Sequence, residues 1–192
     1  MIKFFYDIET TGVKPTQHSI HQIAGIIEVD GVVAEEFDLK TRPHPKAKVE
    51  PEALKLCGVT ELDLLSYPDM KTAHSTLRRI LKKYVNPFEP KDRMHQVGFN
   101  NRAFDDIFLR KWFEQCGDDY YMSWFYPDSL DVMVLASQYL LDRRPHMPSF
   151  KLKRVAMELG IEVDKDKLHD GLYDVKLTRE IYRIVTGIET EL

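Results

Sequence analysis

Residues 2–12 read IKFFYDIETTG. Ile2, Phe4, Phe5, Tyr6 and Ile8 make a nearly continuous apolar run, the pattern of a strand covered on both faces, and the run ends on two carboxylates, Asp7 and Glu9. Strand positions i and i+2 project from one face, roughly 7 Å apart along the chain. Two like charges held side by side at the end of a buried strand call for a cation. The alternative is a strand that has already emerged into water at Asp7, leaving two solvated acids before a Thr-Thr-Gly turn. The choice turns on whether the rest of the chain supplies more acids on faces that should be apolar.

The chain has 192 residues, 43% hydrophobic and 30% charged, enough for one domain with a real core. A single domain over residues 1–192 is expected. Lys3, Asp7 and Glu9 interrupt the N-terminal apolar run before it reaches the length of a signal-peptide core. No later stretch approaches a membrane span of roughly 18 residues, so a soluble protein with no membrane partner is expected. Cys57 and Cys116 are far apart and form no CxxC pair, so they suggest buried thiols in a reduced cytoplasm, not a disulfide framework or a zinc knuckle. A net charge of −4 argues against a protein that coats nucleic acid by bulk electrostatics. It leaves room for an enzyme that binds a strand locally, because metal ligands bring negative charge that bound cations offset.

After the Gly12 turn, residues 19–29 predict a second strand, Asp30-Gly31 a two-residue hairpin, and residues 32–41 a third strand. Pro43 and Pro45 end the sheet pattern, and residues 51–57 start a short helix with proline in its first turn. Residues 68–85 carry Met70, Ala73, Leu77, Ile80, Leu81 and Tyr84 at helical spacing, with a solvated basic outer face. A short strand over residues 94–99 opens strand-helix alternation. Residues 130–141 predict a helix with Asp128 or Ser129 as N-cap, and residues 151–159 another, ended by Gly160. Asp131, in the first turn of the former, suits the helix dipole or a supporting role at a site. Residues 116–127 match no pattern.

Two helices carry an acid on their apolar stripe. Over residues 102–115 the stripe is Phe104, Phe108, Leu109, Trp112 and Phe113, and Asp105 has Phe108, Leu109 and Trp112 at i+3, i+4 and i+7. Asp106 is the rival; its i+4 neighbour Arg110 offers a surface ion pair, so Asp105 is assigned to chemistry and Asp106 to solvent. In the last helix, residues 172–185, the stripe is Leu177, Ile181, Ile184 and Val185, and Asp174 falls on it. A carboxylate there is costly to bury unless hydrogen-bonded, paired or metal-bound. Asp170 is an N-cap candidate, and His169 before it lies at the helix mouth beside Asp174.

Asp7, Glu9, Asp105 and Asp174 together offer hard oxygen ligands, which suit Mg²⁺ or Mn²⁺ better than zinc. Their charge suffices for two divalent ions about 3.5–4 Å apart, the arrangement that clamps attacking and leaving oxygens in phosphodiester hydrolysis. His169 is then the natural base, since an imidazole near pKa 6.5 takes a proton from water at neutral pH.

Asp7-x-Glu9 in DIETTG, Asn101-x-x-Phe104-Asp105 in NRAFDDIFL and His169-x-x-x-x-Asp174 in HDGLYD resemble, in order and spacing, the three motifs of the DEDDh 3′–5′ exonucleases. That family includes the proofreading (epsilon) subunit of bacterial DNA polymerase III, ribonuclease T and oligoribonuclease. The resemblance runs from Ile2 to about Val185 and takes in ALKLCGVT and LDVMVLA. It implies an α/β, RNase H-like fold: a mixed five-stranded sheet, antiparallel in its first three strands, flanked by helices. It makes Asp7, Glu9, Asp105 and Asp174 the metal ligands and His169 the general base. It sets Thr10, Thr11 and Gly12 beside the terminal nucleotide, and Asn101 joins that substrate-binding set through the second motif. Phe99, Arg143, Arg144, Lys151 and Lys153 are candidates for stacking on, or neutralising, a strand; the basic residues 143–148 are alternatively a solvated loop.

There are departures. Asn100 stands where family members often have His before the Asn, and Asp170-Gly171 follows His169. With nothing after Leu192, the clamp- and polymerase-binding tail of a replicative proofreading subunit is expected to be absent or truncated. The expected activity is removal of nucleoside 5′-monophosphates from the free 3′ end of single-stranded nucleic acid, with a DNA polymerase as a possible partner. A non-catalytic nucleic-acid-binding module is the alternative; all five key residues being present favours the enzyme. DNA is favoured over RNA. No residue here must read a 2′-hydroxyl, and the Glu9-Thr10-Thr11-Gly12 form of the first motif resembles the proofreading branch more than oligoribonuclease or ribonuclease T, the RNA-directed alternatives.

Overall fold

The computed structural model describes residues 1–164, 167 and 170–188. Five strands form one sheet in the order β3-β2-β1-β4-β5: β1 (Ile2–Thr10), β2 (Ile20–Val29), β3 (Val32–Lys40), β4 (His95–Gly98) and β5 (Leu130–Asp131). β1–β2 and β2–β3 are antiparallel, whereas β1–β4 and β4–β5 are parallel. This is the mixed sheet expected. Asp30 and Gly31 close the β2–β3 hairpin with φ of 50° and 90°, the paired left-handed geometry that Asp-Gly supplies at least cost. The crossover from β3 to β4 carries α1 (Pro51–Leu56), α2 (Glu61–Ser66) and α3 (Met70–Leu81). α4 (Asp105–Gln115), α5 (Val132–Tyr139), α6 (Leu152–Glu158) and α7 (Gly171–Thr186) complete the described helices. No described helix is long and apolar enough to cross a membrane.

The alternation along β1 sorts the two cores. Phe4, Tyr6 and Ile8 face α3 and α4, packing with Leu77, Leu81, Phe108 and Trp112. Phe5 faces the other way, with Val132, Ala136, Val175 and Ile181 of α5 and α7. Asp7 and Glu9 share the parity of Phe5, so they emerge on the α7 side. On that face Lys3 and Glu28, each 3% exposed, pair at 2.9 Å, and Arg179 of α7 reaches Glu28 at 2.8 Å. A buried charge triad therefore locks α7 across β1 and β2.

Several expectations needed correction. α3 is shorter than residues 68–85, because Asp69 caps it at Lys71 N and Thr72 N and the chain turns at Lys82. α2 was not anticipated, although Thr60 and Asp63 form a reciprocal capping box. α4 starts at Asp105 after a 3-10 turn, Asn101–Ala103, entered through a left-handed Asn100. Residues 130–141 are not one helix: Leu130–Asp131 pairs with β4, and Asp131, not Asp128 or Ser129, caps α5 by accepting from Met133 N. The unassigned residues 116–127 pass through the core, burying Tyr121, Trp124 and Phe125, with Met94 N donating to Trp124 O. Asp170 caps α7 as expected. Ile184 is 37% exposed, and Val175, Thr178 and Tyr182 take the buried face instead.

Candidate metal centre and strand-binding site

The four acids lie where β1 ends. Asp7 and Glu9 are its last carboxylates, Asp105 is the first residue of α4, and Asp174 sits in the first turn of α7. Both helices thus direct their N-termini, the positive ends of their dipoles, toward this group of carboxylates. Asp105 is 6% exposed and accepts a hydrogen bond from Ile8 N at 3.2 Å, which joins α4 to the strand between Asp7 and Glu9. The Asp7 carboxyl is held well above the usual carboxylate range, first by desolvation and then by the charges of Asp105, Glu9 and Asp174. Burial also raises Asp105, partly countered by the Asp105 and Ile8 backbone N–H groups and reinforced by the charges of Asp106 and Glu9. These acids raise one another's pKa by charge repulsion, as they would in a site built for cations.

Among the described residues, no three His, Cys, Asp or Glu side chains form a ready-made metal cage. The donor chemistry nonetheless fits a hard divalent ion: oxygen donors come from three elements, and Asp7 and Asp105, desolvated and beside other acids, gain most from an added positive charge.

Asp106 is not a solvated partner of Arg110. It is half-buried and accepts from the Tyr6 hydroxyl, the Ser129 hydroxyl and, at 3.2 Å, Asn101 Nδ2. Arg110 instead lies over the Tyr121 ring at 5.2 Å and donates to the Met122 sulfur. Asp106 therefore knots β1, the Asn101 turn and the approach to β5 beside Asp105. Helical spacing alone could not reveal this, because two of its donors come from distant segments.

The expected strand contacts divide. Thr11 is fully buried; its hydroxyl donates to Lys48 O at 2.6 Å and accepts from Ser19 N at 3.1 Å. Thr10 is 8% exposed and donates to Gly12 O. A Cβ on Gly12 would lie 2.7 Å from the His18 ring, so the turn is packed against that imidazole. Asn101 is fully buried, its amide spent on Asp106 and its Oδ1 lacking a hydrogen-bond partner. The side chains of Thr10, Thr11 and Asn101 therefore spend their hydrogen bonds within the turns around the acids. Phe99 is half-buried against the α7-side core. Arg144 lies over the Phe150 ring at 4.5 Å, and Arg143 donates to Glu158 O at 3.3 Å, so both have partners within the chain. Lys151 is exposed and Lys153 half-buried. The sequence reading missed a surface cleft beside Asp106, lined by Arg102, Arg110, Lys111, Pro127 and Ser129 among others. It also missed Cys57, whose thiol donates to Glu9 Oε2 at 3.0 Å.

The exonuclease family of the RNase T type matches residues 4–182. The chain belongs to that family. DNA polymerase III PolC-type of Mycoplasmopsis pulmonis is 25% identical over 177 residues, 92% of this chain and 11% of that protein. Its counterpart in Clostridium perfringens is 27% identical over 183 residues, 93% of this chain and 11% of that protein. This exonuclease-family chain thus spans 11% of the length of these curated relatives. E. coli exonuclease I in complex with a dT13 oligonucleotide superposes with a TM-score of 0.74 at 25% identity, over 96% of this chain and 41% of that one. The zinc-bound form of its single-stranded DNA complex gives 0.76 at 23% identity, over 97% and 40%, a likeness of fold.

Within the family's three motifs, Asp7, Glu9, Asp105 and Asp174 all fall in the described residues and gather at the end of β1. His169, the expected base, lies outside the described residues.

Proposed function

We propose that this chain is a single exonuclease domain, over residues 1–192, that works in the cytoplasm. In this reading it is divalent-metal-dependent and removes nucleoside 5′-monophosphates from the 3′ end of single-stranded DNA. The observation that carries this reading is the meeting of four acids from three elements: Asp7 and Glu9 at the end of β1, Asp105 at the start of α4 and bonded from Ile8 N, and Asp174 in the first turn of α7. Membership of the exonuclease family supports the reaction class. DNA as the strand is supported by the PolC-type relatives and by exonuclease I bound to dT13. A DNA polymerase as partner rests on the PolC-type relatives alone.

Asp7, Glu9, Asp105 and Asp174 would hold the cations, two Mg²⁺ or Mn²⁺ ions. When bound, such ions supply Lewis acidity at the phosphoryl oxygens and a more acidic water. The N-termini of α4 and α7 keep the acids in place by their dipoles, and the bond from Ile8 N orients Asp105. His169 takes the proton of the attacking water. Oxygen-only donors favour Mg²⁺ or Mn²⁺ over Zn²⁺.

The test uses matched single-stranded DNA and RNA oligonucleotides of one sequence. With Mg²⁺ or Mn²⁺ a 5′-labelled DNA strand should shorten in single-nucleotide steps, a 3′-labelled one should lose its label first, and EDTA should stop both. No shortening with either ion would overturn the enzymatic reading. Faster shortening of RNA would overturn the preference for DNA while leaving the metal chemistry intact.

A further inference from the structure

We propose that Cys57 is a positioning residue for Glu9, its thiol holding the carboxylate in the orientation that meets the cations; the inference rests on the metal site proposed above. Cys57 Sγ donates to Glu9 Oε2 at 3.0 Å. The same thiol lies 3.5 Å from Ala53 O, one helical turn back, so its shorter contact goes to the acid and not to its own helix. A glutamate at a strand end has one more side-chain torsion than the neighbouring Asp7. A donor on one of its oxygens restricts that freedom and so orients the carboxylate.

The donor is itself well anchored. Cys57 is the C-cap of α1, with its backbone N–H bonded to Leu54 O at 3.1 Å. α1 in turn is tethered to the end of β1: Glu50 N donates to Thr11 O at 2.8 Å, and the buried Thr11 hydroxyl donates to Lys48 O at 2.6 Å. The residue that follows Glu9 by two thus fixes the helix that brings a thiol back onto Glu9. The buried Thr11 hydroxyl thereby acquires a role in this arrangement. Cys57 is not assigned as a ligand: a thiol suits soft ions, and the surrounding oxygens suit hard ones.

The test compares wild type, Cys57→Ala and Cys57→Ser by direct Mn²⁺ titration, following free Mn²⁺ by electron paramagnetic resonance without nucleic acid. Hydrolysis against Mn²⁺ concentration and unfolding in EDTA are measured in parallel. Losing a partner that orients a metal ligand typically weakens metal affinity by about 10–100-fold, and Cys57→Ala should fall in that range. Its rate should recover substantially at saturating Mn²⁺, and its metal-free unfolding midpoint should match wild type. Cys57→Ser keeps a donor and should bind Mn²⁺ close to wild type. If wild type binds Mn²⁺ and Cys57→Ala binds it equally well, the proposal is overturned. It is equally overturned if Cys57→Ser is as weak as Cys57→Ala, because side-chain volume would then be the cause. A wild-type protein that binds no Mn²⁺ overturns the metal site itself, and this proposal with it.

Discussion

The Tyr6 hydroxyl donates a hydrogen bond to the Asp106 carboxylate, tying the strand that carries Asp7 and Glu9 to the helix that begins with Asp105. Asn101 Nδ2 and the Ser129 hydroxyl converge on the same carboxylate. Removing it strands three donors, and each buried donor left without a partner costs about 1–3 kcal/mol, less where water can enter. Asp106→Ala should therefore lose about 3 kcal/mol of unfolding free energy. Urea denaturation checks this, and a midpoint equal to wild type would refute the structural role of Asp106. Asp106→Asn, which keeps one acceptor oxygen, should lose less.

Asp7→Asn should abolish hydrolysis and raise the stability of the metal-free protein. Burial and the neighbouring acids hold the folded Asp7 pKa above its unfolded value. The sign follows by linkage. Stability from such a group is complete below the unfolded pKa and is lost as pH rises through the folded one, so at neutral pH, above the unfolded pKa, the acid at position 7 weakens the metal-free fold. A neutral amide removes that penalty. In EDTA at neutral pH the variant should melt higher than wild type, and Mn²⁺ should raise the melting temperature of wild type far more than that of the variant. A lower melting point for Asp7→Asn in EDTA would contradict the repulsion.

The Lys3–Glu28–Arg179 triad predicts an acid limb of stability. Burial alone would raise Glu28, but the hydrogen bonds and charges of Lys3 and Arg179 bring it below the usual carboxylate range. A depressed folded pKa contributes stability that is present above the unfolded value of about 4.3 and is lost as pH falls through the folded one. Glu28→Gln should cost about 3 kcal/mol at neutral pH, because Lys3 and Arg179 lose their counter-charge. The gap to wild type should narrow below about pH 4. Thermal melts of both proteins across that range measure it, and a constant gap would mean that charge is not the cause.

His169→Ala should slow hydrolysis by about 10²–10⁴-fold while leaving Mn²⁺ binding near wild type. Wild-type rates should rise with pH through the histidine range, near 6.5, and level off above it. The variant should lose that rise. An unchanged pH profile in His169→Ala would remove the imidazole from the reaction.

Much of the fold was legible because its signals are local. The apolar run into Asp7 and Glu9, the Asp30-Gly31 hairpin and the acids on two helical stripes are periodicities of 2 and 3.6, set by backbone geometry within one segment. Parity along β1 alone put Asp7 and Glu9 on one face, and helical spacing marked Asp105 and Asp174 as anomalous. The capping box of Thr60 and Asp63 is a local signal of the same kind. By contrast, β5 is too short to carry a pattern; pairing of Val97 with Leu130 and of Gly98 with Asp131 turns a helical start into a strand.

What only the tertiary structure decided are the contacts between distant segments. Asp106 and Asp105 are neighbours with similar local surroundings, and spacing offered Arg110 as partner for the former. The partners it has, Tyr6 and Ser129, lie 100 and 23 positions away. Thr10, Thr11 and Asn101 belong to motifs that border the site, yet whether a side chain faces a strand or the interior depends on what packs behind it: Lys48, Ser19 and Asp106. Cys57 is 48 positions from Glu9, and no sequence period links them. Sequence determines which acids share a face, because that is a property of one strand or helix. Which donors reach those acids is settled only when the sheet and its crossovers close, because hydrogen bonds between elements depend on three-dimensional distance and not on spacing along the chain.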